Sequence, residues 1–218
     1  YIVKGAINQS CVEAQSSEIV KEMLAEAEIN QTEIAPAADM FELGAQVQVL
    51  KNRTLFPNRA KKLYQLYRNY SCWEQIPLEV REDIEKRYLR ASFDEVWQSV
   101  EEYFSTRDSK QLVKAAEQPK HKMALVFRWY LGLSSRWAQQ GTSERSIDFQ
   151  IWCGPVMGSF NHRGKGTIKE NYKERHVAVI GLNILSGAAA IIRARILSMQ
   201  GVSLPEDAFK FIPRQFEV

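Results

Sequence analysis

The chain has 218 residues, 45% of them hydrophobic, enough to bury a substantial core as one large domain or two small ones. Its 29 basic and 26 acidic residues leave a net charge of +3, without the clustered basic excess of a nucleic-acid binder. The three cysteines are widely spaced with no C-x-x-C pair, which argues against a disulfide framework or zinc site and for a reducing, cytoplasmic setting.

In chain order, Tyr1-Ile2-Val3-Lys4-Gly5 reads as a short strand ending at a glycine. No cap or polar tail precedes it and Tyr1 is not a methionine, so a cleaved, truncated or processed chain is expected. Ala6 to Ser16 is a polar connection. A helix follows from about Ser17, with Ile19, Val20, Met23, Leu24 and Ala27 at helical spacing. Thr32 to Ala37 is a weak strand interrupted by Pro36, and Ala45 to Leu50 alternates more cleanly. Strand, helix, strand predicts an α/β fold with parallel pairing.

After Pro57 the pattern turns helical, which places a boundary between residues 1–56 and 57–218. Helices are expected from Pro57 to about Tyr70 and from near Pro77. Another starts at Ser92-Phe93-Asp94-Glu95, where serine and glutamate form a capping box. Longer ones run from Lys120 to Gln140, stopped by Gly141, and from Glu174 to Gln200, stopped by Gly201. These helices share no 34-residue signature, and no stretch is of low complexity. The run from Val177 to Leu197 is apolar but contains Asn183, Arg193 and Arg195, so a soluble protein is expected and no membrane.

Four groups of residues are candidates for chemistry. Gly5, ending a strand and leading by a short loop to a helix, suits a phosphate held by backbone N–H groups, although an ordinary turn has the same pattern. Cys153-Gly154-Pro155 lies among glycines and aromatics, with His162 and His176 as conceivable bases, yet a packing cysteine fits as well. Arg128 and Arg136 share a face of an aromatic-rich helix and could bind an anion, or simply pair with carboxylates. Arg59, Lys61, Lys62 and Arg68 alternate with Tyr64, Tyr67 and Tyr70, which suits either single-stranded nucleic acid or one packed and one solvated face. The histidines lack ligand spacing, so no metal is expected, and no residue stands out as the catalytic group.

Five ordered segments together resemble a known family. They are Gly5 to Ala14, Ala35 to Lys51, Leu55-Phe56-Pro57-Asn58-Arg59-Ala60 with Lys61 to Tyr64, Lys122 to Trp137, and Trp152-Cys153-Gly154-Pro155. The chain is similar to the carboxyl-terminal part of the trans-acting enoyl reductases of polyunsaturated fatty acid and polyketide synthases, relatives of nitronate monooxygenase. That resemblance implies the late strands of an FMN-binding TIM (β/α)8 barrel with a mainly α-helical extension. It implies NADPH-dependent reduction of an α,β-unsaturated thioester carried on the phosphopantetheine arm of an acyl carrier protein, with synthase components as partners. By this likeness Gly5 and Ala6 hold the FMN phosphate and Asn8 and Gln9 line the same loop; Arg128 and Arg136, from their spacing alone, are the candidates for binding substrate. A homodimer is left open. Two departures stand against the pattern. His162-Arg163-Gly164-Lys165-Gly166 replaces an expected tryptophan-containing segment, and Ala6 replaces a common hydroxyl residue. The contrasting readings are a non-catalytic helical module that docks carrier protein and a flavin oxidase of the nitronate type.

Overall fold

The computed structural model describes residues 5–167 and 170–216, so the strand expected at Tyr1–Val3 lies outside the described residues. The chain divides into two compact units, one from Tyr1–Gln31 with Gly154–Val218 and the other from Thr32–Cys153. These cut across the boundary expected at residue 56.

The second unit begins with strands β1 (Thr32–Pro36) and β2 (Gln46–Leu50). They pair antiparallel, Thr32 opposite Leu50 and Pro36 opposite Gln46. The link between them is shorter than the roughly dozen residues or more of a parallel crossover and turns back at once, with the Ala37 N–H donating to Ala45 O at 2.8 Å. The parallel pairing expected across the helix from Ser17 involves the Tyr1 strand and so lies outside the described residues. Trp152 adds a bridge to Val49, and the Leu50 N–H donates to Ile151 O at 2.8 Å. Among the described residues this two-stranded sheet stands in an otherwise helical chain.

Helix α3 (Phe56–Asn69) starts with Pro57 in its first turn, where the missing N–H costs nothing. It buries Phe56, Ala60, Leu63 and Leu66. Helix α4 (Leu78–Ile84) passes into a π-helical turn, Glu85–Leu89, that ends at Arg90 with φ 58°. Helix α5 (Phe93–Arg107) carries the expected capping box, with both the Ser92 and Glu95 side chains engaged. Helices α6 (Ser109–Glu117) and α7 (Pro119–Gln140) follow, and Gly141 stops α7 at φ 69°. Phe41, Phe56, Leu63, Trp73, Phe127 and Tyr130 sit in one core within this unit. The Trp73 and Phe93 rings stack at 4.7 Å, adding to the ~1.5–3 kcal/mol that burial of each large side chain supplies.

The first unit contains the short α1 (Gly5–Asn8), α2 (Glu18–Ala25) capped by Ser17, α8 (Pro155–Gly164) and α9 (Val177–Met199). In it Ile7, Cys11 and Ile180 are buried together, with Phe160, Val177 and Ile184 against them, and Val20, Met23, Leu24, Ala27 and Met157 are buried as well. Gly158 of α8 lies so close to the turn after α2 that a β-carbon there would come 2.2 Å from Ile29 N. Past α9, Gly201 (φ 82°) turns the chain back. Asn183 exchanges two 2.8 Å hydrogen bonds with the Arg214 backbone, and Phe211 packs on Gly187. By length and composition α9 is apolar enough to cross a membrane, with a mean hydropathy of 1.9 over its most apolar window.

Candidate functional site

Gly5, Ala6, Asn8 and Gln9, singled out in the sequence for a phosphate-bearing cofactor, fall together on α1 and the residue after it. Gly5 is exposed, and a β-carbon added to it would meet nothing within 4 Å, so open space borders the start of this turn. The Asn8 side-chain oxygen is buried without a hydrogen-bond partner. Such an orphaned acceptor matches a donor that a ligand would bring.

What holds the turn is mostly behind it. The Ser10 hydroxyl donates to Ile7 O at 2.9 Å and accepts from Arg175 Nη1 at 3.1 Å. Arg175 is 1% exposed, its carbonyl takes the Val12 N–H at 2.9 Å, and its guanidinium stands 5.2 Å from the Phe160 ring centroid. Burial pushes that guanidinium down to about 10. The Glu13 carboxylate accepts from the Val177 N–H at 3.1 Å and faces His176 at 3.0 Å, fastening the same loop to the first turn of α9. Arg175 also lines an open cavity of about 680 Å³ with Asn30, Asn161, His162, Lys165 and Glu170. Asn161 donates to the Leu24 and Ala27 carbonyls at 2.8 Å each, while its own side-chain oxygen is buried and unpartnered. Arg175 was not anticipated from the sequence, where it closes the charged run Lys173-Glu174-Arg175 ahead of an apolar stretch.

The remaining candidates have structural work in the second unit. Arg128 donates from Nε to Ala38 O at 2.9 Å and lies 3.9 Å from Glu42, so it clamps the loop between β1 and β2. Arg136, on the same helix, is exposed. Tyr64 and Tyr67 pack on Phe41, and Lys61 pairs with Glu33, which is the packed-and-solvated reading of the basic, tyrosine-rich helix. Cys153 is 2% exposed and burial pushes its thiol up to about 11. Because the thiolate is the nucleophile, this cysteine is inert at neutral pH. His121 is held between Glu42 and Gln111 at 2.9 Å each, and among the described residues no group of side chains could hold a metal ion.

Sequence reasoning also missed a charged cluster in the core. Asp148, fully buried, accepts from Arg59 and from Tyr130 Oη at 2.7 Å on one oxygen, and from Arg145 at 3.2 Å on the other. Arg59 reaches on to Arg87 O, and Arg145 to Tyr88 O and Leu89 O at 2.6 and 2.7 Å, so the cluster grips the π-helical turn. Burial would lower Arg59, but Asp148 outweighs it and the guanidinium is raised; for Arg145 burial prevails and it is lowered. Burial, then Asp148, drive the Tyr130 phenol far up.

Comparison with known proteins agrees across most of the chain. The profile of the acyl-carrier-protein S-malonyltransferase inserted helical domain matches residues 70–149. The polyketide biosynthesis protein ThaF of Burkholderia thailandensis is 42% identical over 201 residues, which is 92% of this chain and 17% of that protein. PksE of Bacillus subtilis, also a polyketide biosynthesis protein, is 39% identical over 96% of this chain and 27% of its own length. A polyunsaturated fatty acid synthase polypeptide of a Thraustochytrium species is 40% identical over 90% of this chain and 14% of its own length. The chain therefore spans about a quarter or less of these relatives. The crystal structure of the enoyl reductase domain of MlnA, from the macrolactin cluster of Bacillus amyloliquefaciens, superposes with a TM-score of 0.83 at 39% identity, over 89% of this chain and 44% of that one. The chain is homologous to segments of polyketide biosynthesis proteins and polyunsaturated fatty acid synthases, and its backbone follows that of an enoyl reductase domain.

Proposed function

We propose that this chain is part of an FMN- and NADPH-dependent enoyl reductase that reduces α,β-unsaturated acyl thioesters on an acyl carrier protein during polyketide or polyunsaturated fatty acid synthesis. The observation that carries this reading is the superposition on an enoyl reductase domain at 39% identity across nearly the whole chain. In this reading α1 is the turn after a late strand of a TIM barrel.

The residues present fit the cofactor. Gly5 borders open space at the start of a helical turn, where backbone N–H groups and the local dipole favour a phosphate. The orphaned Asn8 oxygen suits a hydroxyl of the cofactor's sugar-alcohol chain. Gly5 and Ala6 would hold the phosphate, with Asn8 and Gln9 beside it, and FMN bound there would supply the hydride chemistry with NADPH as reductant. Ser10 and Arg175 keep the turn in place from behind. Arg128 is committed to the Ala38 carbonyl, which leaves the exposed Arg136 better placed to meet an anionic phosphopantetheine arm.

The full-length parent protein should be yellow and should oxidise NADPH when given a 2-enoyl thioester. Gly5→Asp, which sets a carboxylate where the phosphate would lie, should weaken flavin binding about tenfold or more, ~1.4 kcal/mol, with far-UV circular dichroism unchanged. A parent that takes up no flavin would sink the idea. A second reading, a helical module that docks carrier protein without catalysis, draws on the match to a malonyltransferase inserted helical domain. Carrier binding by a colourless parent would favour it.

A further inference from the structure

The His121 ring, 3% exposed, meets an oxygen at each of its two nitrogens. Nδ1 lies 2.9 Å from the Glu42 carboxylate in the loop between β1 and β2, and Nε2 lies 2.9 Å from the side-chain oxygen of Gln111 on α6. The Gln111 amide is fixed in that sense, because its nitrogen donates to the Asp108 carboxylate at 3.0 Å. A neutral imidazole has one N–H and one lone pair, so it satisfies one of these oxygens and sets its lone pair against the other. Hydrogens on both nitrogens satisfy the whole row, from Glu42 through His121 and Gln111 to Asp108. The ring is already sealed within this unit, so these bonds do not depend on what the rest of the parent covers. Further charged and titratable groups gather at Glu42. Tyr67 of α3 bonds that carboxylate, with the Lys120 ammonium 4.9 Å from the tyrosine ring centroid, and Arg128 stands 3.9 Å from the same carboxylate. Glu42 and Asp108 favour a charged ring while Arg128 and Lys120 oppose it, and Glu42 is the group in direct contact.

We propose that His121 is a proton-controlled lock: with hydrogens on both nitrogens it ties the β1–β2 loop to the start of α6, and loss of one proton releases α6. The N–H that faces a carboxylate makes the stronger, charge-assisted bond, so the hydrogen that leaves is the one on Nε2. The bare nitrogen then faces the Gln111 oxygen. The amide reverses to offer its N–H groups, and that reversal turns its oxygen onto Asp108, where carbonyl and carboxylate repel. Asp108, the residue that precedes α6, lets go, and the first turn of the helix loosens. Arg128 keeps its own bond to Ala38 O throughout, so the loop stays seated on α7. The lock is therefore closed at low pH and opens as pH rises; histidine is the side chain whose charge changes between about pH 5 and 8.

Amide hydrogen exchange of the full-length parent protein, corrected for the pH dependence of the intrinsic rate, reads the lock at Ser109–Glu117. Protection there should fall about tenfold or more between about pH 6 and pH 9, the worth of one hydrogen bond to a charged group. His121→Gln should abolish that dependence. Gln111→Glu, which sets a second carboxylate on the ring, should move the loss to higher pH. Protection that stays constant across this range overturns the proposal, as does a loss that persists in His121→Gln or fails to move to higher pH in Gln111→Glu. Should His121→Gln not fold, the unaltered protein and Gln111→Glu decide between these outcomes. Flavin and substrate enter none of these readouts, so they are separate from the test of the proposed activity.

Discussion

At the scale of single residues, the chemistry of this chain is set by a few polar groups taken out of water. Asp148 is the most consequential. Its carboxylate satisfies two arginines and a tyrosine, and its removal would strand two guanidiniums that are only 11% and 12% exposed. Breaking a buried ion pair from one side costs about 3–5 kcal/mol, so Asp148→Ala should lower the urea midpoint sharply or prevent folding. The milder Tyr130→Phe, which removes one hydrogen bond, should cost about 1 kcal/mol. An Asp148→Ala protein as stable as the parent would mean that the arginines find water instead. None of this was legible in the sequence. Asp148 sits in Ser146-Ile147-Asp148-Phe149, which reads as an ordinary polar turn, and its partners Arg59 and Tyr130 come from two other helices, 89 and 18 residues away. Asn8 and Asn161 were visible as amides within recognisable segments, but only packing reveals that one oxygen of each is buried without a donor.

At the scale of elements, boundaries set by local chemistry were readable and those set by packing were not. Ser92 and Glu95 cap α5 as their spacing predicts, and Gly141 ends α7 in the left-handed conformation that glycine permits. Helix α8 was missed. It contains two glycines and little apolar periodicity, and it is held from outside, through Gly158 against the backbone of Ile29 and Asn161 on the Leu24 and Ala27 carbonyls. Helix α6 was missed as well, since Ala115 is its single fully buried residue. The strands at Thr32–Pro36 and Gln46–Leu50 were readable, and the link from Ala37 to Ala45, shorter than a parallel crossover, accounts for their antiparallel pairing. Arg90 supplies a test at this scale. It ends the π-helical turn at φ 58°, where a side chain costs about 1–2 kcal/mol relative to glycine. Arg90→Gly should therefore raise the thermal midpoint by a few degrees, provided that the exposed Arg90 side chain makes no compensating contact.

At the scale of the whole molecule, composition marked a change of character at Pro57, but that change separates strand from helix rather than one packing unit from another. The unit from Thr32–Cys153 is continuous in sequence and owns its aromatic core, whereas the other is assembled from two distant segments. Discontinuity of this kind leaves no trace in local patterns, because the residues that meet, such as Ile7 and Ile180, are separated by most of the chain. The continuous unit should fold alone. A protein limited to residues 32–153 should melt in one cooperative transition by circular dichroism, and a broad, non-cooperative loss of signal would show that its core depends on the rest.

In that continuous unit Thr32 pairs with Leu50 on one side, and Ile151 accepts from Leu50 on the other, so the chain enters and leaves on segments that flank β2. Two strand spacings, roughly 10 Å, separate entrance from exit. To a host fold the entire helical body occupies the footprint of a hairpin loop, and a recombination event could install it or remove it without rerouting the host's own chain. The same geometry makes it a transplantable cassette: a short linker across that gap should be enough to join the flanking segments, or to seat this body in another scaffold.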